Sequence, residues 1–186
     1  MTDFNLMGHS FGGYICGNYA LKYHNHIRKL ILLSPIGIRV KEPGEPDFGR
    51  VITKLKEARS QGIKPPPIWA KLMLKFAWAR KITPFQVARL FGQKWTRKQI
   101  EAYLERRTSD IRMNDTEKDI CADYIYHLFM REGTSEFALL VMFTQGIQAH
   151  IPLGTDDKLA SPNFPVPISY VLGDVDWVRF CDHHDT

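Results

Sequence analysis

The sequence predicts an α/β domain, and three apolar segments separated by helical patterns carry that prediction. Residues 4–7 form the first segment, which enters a glycine-rich turn and then a helical pattern over residues 14–23. Residues 29–35 form the second segment, and residues 166–172 form a β-branched third one that is bounded by prolines and Gly173. Apolar segments that alternate with helices are typical of a parallel sheet. We therefore expect about three parallel strands.

The turn after the first strand has the sequence Gly8-His9-Ser10-Phe11-Gly12, which is the pattern of a nucleophile elbow. Glycines two before and two after the serine are expected to remove side chains that would collide in so sharp a turn. The positive end of the following helix favours a developing oxyanion, to which the Phe11 N–H is expected to donate. Ser10 is therefore the candidate nucleophile, and it needs an imidazole to accept its proton.

About 130 residues separate the second strand from the third, far more than the dozen or so that a crossover needs. This excess predicts a large helical cap, or lid, over residues 42–160. Residues 1–41 then hold the elbow strand, its helix and the second strand, and residues 161–186 hold the late strand and an acid loop. One cap helix is expected to start at Thr83-Pro84 and end at Gly92, and a capping box is expected at Thr96-Arg97-Lys98-Gln99. Two further helices are expected, one over 115–131 before Gly133 and one over 136–146 that Thr134 precedes.

On these residues the chain resembles the α/β-hydrolase family. Within that family it is similar to a lipid-acting branch of lysophospholipases, N-acyl-phospholipid hydrolases, cardiolipin deacylases and lysophosphatidate acyltransferases. The matching residues are the elbow through Tyr14, residues 30–37, residues 123–127 and residues 166–177. The resemblance implies a partial α/β-hydrolase sheet with a cap insertion, Ser10 as nucleophile, and Asp176 as the acid that orients a histidine. It implies no metal and no cofactor.

Asp176 lies three residues after Gly173, at the exit of the third strand, where it would accept the far N–H of an imidazole. Asp174 is the alternative acid, and ordinary turn chemistry is the alternative role for both.

None of the seven histidines follows a further strand, so we expect the triad histidine to be missing from this sequence, with His183 and His184 as the alternatives. His9 and the pair His24 and His26 are expected to be structural, and His127 and His150 to belong to the cap and its exit. Few residues precede Ser10 and nine follow Trp177. We therefore expect truncation at both ends, of biological origin or from a gene-model error, and a chain that is inactive alone.

Residues 68–81 combine two tryptophans, Trp69 and Trp78, with two lysines, Lys71 and Lys75, that share one helical face. This composition favours a helix that rests on a lipid surface, although a lid helix that only covers the active-site cleft has the same pattern. Residues 50–107 carry fifteen Lys or Arg against three acids, while the rest of the chain carries ten against seventeen. The basic insert predicts an anionic partner, namely a membrane or lipid-droplet surface and not nucleic acid.

Composition and the spacing of residue types narrow the cellular location and the functional class that we expect. The sequence contains no run of eighteen apolar residues, so no membrane span is predicted, and the first residues lack the features of a secretory signal. Three widely spaced cysteines, Cys16, Cys121 and Cys181, favour a reducing compartment, and they lack the short spacing that is typical of zinc ligands. We expect a cytoplasmic protein, peripheral to membranes or lipid droplets, that acts as a serine hydrolase on acyl esters or amides of lipids, (lyso)phospholipids above all. The alternatives are a non-catalytic lipid-surface binding or scaffold protein of the same fold, and an inactive truncated product.

Overall fold

A computed structural model describes residues 3–41, 68–108, 113–133, 135–144 and 146–173. The strands in these residues are β1 (Phe4–His9), β2 (Ile27–Leu33) and β3 (Ile168–Val171). The helices are α1 (Phe11–Lys22), α2 (Ile68–Ala79), α3 (Pro84–Arg107), α4 (Asp115–Met130) and α5 (Glu136–Met142), with a 3₁₀ turn at His24–His26. Two compact units divide the chain: Met1–Pro65 with Val141–Thr186, and Pro66–Leu140.

The sheet of the first unit is parallel throughout, with the order β1-β2-β3, and this confirms the predicted strand arrangement. Leu6 pairs with Leu30, and Leu30 pairs with Ile168 across the sheet. Leu30 and Leu32 of the central strand are fully buried. The third strand is shorter than predicted because Pro167, which has no N–H, contributes only its carbonyl, to which the Leu30 N–H donates.

A segment from Phe143 to Leu159 completes the core of this unit. The side chains of Phe143 and Leu153 are fully buried. The Tyr14 hydroxyl of α1 donates a hydrogen bond to the Ile151 carbonyl at 2.9 Å. The Leu153 N–H donates to the Gly37 carbonyl at 2.9 Å, so this segment is tied both to α1 and to the residues that follow β2.

The second unit is helical, and its core lies between α3 and α4. Ile100 and Leu104 of α3 and Ala122 of α4 are buried together, with Ile125 and Phe129 packed against them. The predicted start of α3 is confirmed, since the Thr83 hydroxyl accepts from the Gln86 N–H and Pro84 occupies the first turn. None of the described helices is long and apolar enough to cross a bilayer.

Two helix boundaries differ from the prediction. Gly92 does interrupt α3, with φ 76° and ψ 175°, but the capping box predicted at Thr96 is wrong because helix lies on both sides of that residue. The buried Thr96 hydroxyl instead donates back to the Ala88 carbonyl at 2.7 Å, across the break. The helix predicted over residues 136–146 ends at Met142, because Phe143 forms an antiparallel bridge with Ala149. Thr134, which was predicted to precede this helix, lies outside the described residues.

Candidate active site

Ser10 stands between the end of β1 and the first residue of α1, with φ 53° and ψ −120°. This confirms the positive φ that the elbow pattern predicts. The Ser10 N–H donates to the Leu33 carbonyl at 3.0 Å, and the Ser10 carbonyl accepts from the N–H groups of Gly13 at 3.0 Å and Ile36 at 3.2 Å. The end of β2 therefore holds the turn through the backbone, on both sides of the serine Cα.

Crowding around the turn explains some of its glycines. A Cβ on Gly8 would lie 2.5 Å from the Gly12 carbonyl oxygen and 2.7 Å from Cys16 Sγ. A Cβ on Gly12 would meet nothing within 4 Å in the described part of the chain, so the steric reason predicted for both glycines holds at Gly8 alone. Gly13, not singled out from the sequence, is the second crowded position, where a Cβ would lie 2.7 Å from that of Pro35.

The amino end of α1 offers the positive electrostatics that an oxyanion needs. The Ser10 side chain makes no capping hydrogen bond, and the first turn of α1 contains no acidic residue. The Phe11 N–H therefore belongs to a helix end whose dipole is uncompensated from within the helix. The Phe11 ring packs edge-on against Phe143 with centroids 5.9 Å apart, and Tyr14 does so at 4.9 Å. These aromatic contacts fix the first turn.

The proposed acid, Asp176, and its alternative, Asp174, lie outside the described residues. The strand that leads to them is described. Because β1, β2 and β3 are parallel, their carboxyl ends meet at one edge of the sheet, and the Ser34 N–H at the end of β2 donates to the Val171 carbonyl at 2.8 Å. The loop that leaves β3 therefore starts at the edge where Ser10 stands.

No described histidine is hydrogen-bonded to Ser10. His9 is exposed at the end of β1. His26 precedes the first residue of β2, and its Nδ1 is hydrogen-bonded to the Tyr19 hydroxyl at 2.9 Å. His24, His127 and His150 are exposed, and His183 and His184 lie outside the described residues. Burial raises the pKa of the Cys16 thiol, which disfavours a thiolate nucleophile beside the elbow.

The residues proposed for lipid contact lie in α2. Trp69 is 65% exposed, Lys75 is exposed, and Trp78 is half-buried. Lys71 belongs to the same helix, but its side chain is outside the described part of the structure. The exposed Phe76 ring lies 5.2 Å from the Arg80 guanidinium carbon, which places a cation over an aromatic face of this helix. The described residues contain no group of three His, Cys, Asp or Glu placed to hold a metal ion.

Comparison with known proteins gives a family match and several relatives. A model of the alpha/beta hydrolase fold matches residues 2–107, more than half of the chain. A 1-acylglycerol-3-phosphate O-acyltransferase of Arabidopsis thaliana is 26% identical over 97% of this chain and 40% of its own length. A protein of Oryza sativa subsp. japonica described as a probable enzyme of the same name is 25% identical over the same shares. The human (lyso)-N-acylphosphatidylethanolamine lipase is 26% identical over 93% of this chain and 44% of its own length. The chain thus spans about two fifths of the length of these relatives. No solved structure matches it.

Proposed function

Since the chain belongs to the alpha/beta hydrolase fold family, we propose that it carries the nucleophile of a lipid-directed serine hydrolase. The observation that carries this proposal is the conformation of Ser10, a non-glycine residue held at φ 53° between a parallel strand and a helix amino end. The names of the relatives support a substrate that is an acylated glycerophospholipid.

In the proposed reaction, Ser10 Oγ attacks the ester or amide carbonyl carbon and loses its proton to an imidazole, which Asp176 holds in the correct tautomer. The carbonyl oxygen becomes negative and accepts a hydrogen bond from the Phe11 N–H. The bond to the leaving alcohol or amine breaks, and the imidazolium gives that group its proton. Water then attacks the acyl-serine ester and releases the fatty acid and Ser10. A lysolipid hydroxyl in place of water would give acyl transfer.

Ester cleavage by this chain alone tests whether the sequence supplies its own catalytic base. We expect hydrolysis of a p-nitrophenyl ester close to background, because loss of a triad member costs roughly 10⁴- to 10⁶-fold in rate. Turnover that both Ser10→Ala and His184→Ala abolish would instead show that the sequence supplies its own histidine.

Covalent labelling tests the nucleophile directly. A fluorophosphonate should bond to Ser10, slowly in plain buffer and faster when imidazole is added as an external base, with the site mapped by mass spectrometry. Ser34→Ala is the matched control, since Ser34 also follows a strand at positive φ (39°). Labelling should vanish with Ser10→Ala and persist with Ser34→Ala. A label that survives Ser10→Ala would remove Ser10 from the mechanism.

A non-catalytic role in lipid-surface binding is the second candidate function, and the exposed apolar face of α2 favours it. Besides Trp69, this helix exposes Leu72, Met73 and Phe76, each by more than half of its side chain. Adsorption to anionic vesicles should weaken with salt and fall when Lys71 and Lys75 are both changed to Glu. Binding unaffected by that reversal would leave α2 as an ordinary cap helix.

A further inference from the structure

The break in α3 at Gly92 exposes a short apolar segment of the helical unit. Gly92 has φ 76° and ψ 175°, a region that only glycine occupies readily, and a Cβ there would meet nothing within 4 Å in the described residues. The backbone conformation, and not crowding, therefore demands this glycine. The Thr96 hydroxyl donates to the Ala88 carbonyl across the break, so the two halves of α3 are held in this arrangement.

Large apolar side chains surround the break and face away from the core. Leu90 is 83% exposed, Phe91 63% and Trp95 41%. The Phe91 and Trp95 rings contact each other with centroids 4.9 Å apart. The buried residues of the same helix include Ala88, Thr96, Ile100 and Leu104, and the last two pack with Ala122 of α4. The outward cluster is thus not part of the core of this unit.

The charged residues next to this cluster along the chain are all basic. Residues 68–100 contain eight Lys or Arg and no acidic residue. Among the described side chains of this stretch, Arg89 binds Glu136, and Arg97 binds Glu101, Asp119 and Asp123. Lys94 and Lys98 are exposed, and their spacing of four places them on one helix face beside Trp95.

We propose that Leu90, Phe91, Gly92, Lys94, Trp95 and Lys98, here called the Gly92 knuckle, form a second lipid-contact site that inserts into the interface of an anionic bilayer. The glycine break lets Leu90 and Phe91 project into the acyl boundary while Trp95 lies at headgroup level. Lys94 and Lys98 bind the anionic headgroups. The proposal extends the lipid-surface function and needs neither catalysis by Ser10 nor any contribution from α2.

The chain supplies its own matched control. On α4, the residues Ile120, Tyr124 and Leu128 are spaced by four and are 63%, 66% and 49% exposed. Their neighbours on that helix are acidic, among them Glu117, Asp119 and Asp123. This stripe has about the same apolar exposure as the knuckle, but Asp119 and Asp123 are paired with Arg97, and Lys118, the one lysine of this helix, is paired with Glu105. An anionic bilayer should therefore not attract it.

The test is co-sedimentation of the chain with vesicles of equimolar phosphatidylcholine and phosphatidylglycerol, and with vesicles of phosphatidylcholine alone. The double change Leu90→Ser and Phe91→Ser should lower the partition coefficient on anionic vesicles by about tenfold or more, as expected when large apolar side chains are withdrawn from an apolar environment. Lys94→Glu with Lys98→Glu should lower it by roughly tenfold through charge alone. Ile120→Ser with Tyr124→Ser should leave it within about twofold, since surface changes away from a contact have small effects.

Trp95 supplies a second, spectroscopic measurement. Vesicles with brominated acyl chains should quench the tryptophan fluorescence of the bound chain, and part of that quenching should be lost in Trp95→Phe when parent and variant are compared at the same bound fraction. Circular dichroism of each variant controls for folding, and the lysine reversal leaves the apolar side chains intact if the serine variant fails to fold.

Unchanged partitioning of both knuckle variants would overturn the proposal, as would an equal loss in the α4 control or equal binding of the parent to neutral vesicles. If the parent self-associates through the knuckle, Leu90→Ser with Phe91→Ser would abolish the dimer and leave vesicle binding intact, which would also overturn it. Loss of binding only when Lys71 and Lys75 are reversed would refute the knuckle and support α2. Fluorophosphonate labelling of Ser10 is unaffected by any of these outcomes, so the catalytic proposal fails or holds separately.

Discussion

Ser10 and Ser34 share an unusual backbone conformation at neighbouring strand ends. Both are non-glycine residues at positive φ, 53° and 39°, and each follows the last residue of a parallel strand. Such a conformation costs of order 1–3 kcal/mol and persists only where the surroundings hold it. Here the holding groups are backbone hydrogen bonds, from Ser10 to Leu33 and from Ser34 to Val171. The strain therefore lies along the sheet edge that carries the candidate nucleophile.

The two elbow glycines should respond differently to the same substitution. Gly8→Ala should lower the free energy of unfolding by roughly 1–3 kcal/mol, because its Cβ would collide with the Gly12 carbonyl oxygen at 2.5 Å. Gly12→Ala should be neutral or stabilising by up to roughly 1 kcal/mol, since α1 gains helix propensity and the space is open. Urea unfolding followed by circular dichroism compares the two, and equal losses would contradict the model of the turn.

Glu136 should make stability depend on pH. The Arg89 guanidinium, which donates to the Glu136 carboxylate at 2.6 Å, and the Thr83 hydroxyl hold the pKa of that carboxyl below its usual 4.5. A lowered pKa in the folded state means stability that is present above 4.5 and lost as the pH falls through the folded value. Glu136→Gln should therefore reduce the fall in unfolding free energy on acidification. Asp3→Asn, at the exposed pair with Arg28, is the control and should change the profile little.

Local sequence explains which of these residues were predictable. The elbow pattern is confined to five consecutive residues, so the conformation of Ser10 followed from it. The contact of Gly13 with Pro35 and the ion pair of Arg89 with Glu136 join residues far apart in the chain, and no local pattern marks them. Asp176 was proposed from its place after a strand, and it stays a prediction.

At the scale of elements, two helices begin with the same kind of cap in different surroundings. Thr83 and Asn114 each form a capping box, but Thr83 is buried and its hydroxyl also donates to Glu136, while Asn114 is exposed. Thr83→Ala should cost roughly 2 kcal/mol and Asn114→Ala about 1 kcal/mol or less in unfolding free energy. Chemical denaturation of both variants, with Thr83→Ser as the conservative control, measures this difference in unfolding free energy. A larger loss for Asn114→Ala would contradict this assignment.

Element ends followed from sequence where a local group decides them, and not where a distant one does. The starts of α3 and α4 follow from a side chain and an amide three residues apart. The pattern at Thr96 looked the same, yet its hydroxyl bonds Ala88 of the preceding helical half. The end of α5 is set by the bridge between Phe143 and Ala149, for which the helical pattern of residues 136–146 gave no signal.

At the scale of the whole molecule, Phe143 is the side chain on which the core of the sheet unit depends most. It is fully buried, its ring contacts those of Phe11 and Tyr14, and it directly follows α5. Phe143→Ala should cost about 3–5 kcal/mol in unfolding free energy, because it leaves a cavity against the first turn of α1. Phe91→Ala, at a 63% exposed ring, should cost less than about 0.5 kcal/mol. Thermal and urea unfolding of the two variants compare them.

The pairing of β2 with β3 also predicts the order in which the strands assemble during folding. The β1-α1-β2 portion joins neighbouring parts of the chain, whereas β3 reaches β2 only after about 130 intervening residues, whose closure entropy must be overcome first. Folding should therefore start on the two early strands and finish when the late strand docks. Ile31→Val in β2 should slow refolding, and Ile168→Val in β3 should mainly speed unfolding. The elbow turn would then form before the strand that leads to the proposed acid arrives beside it.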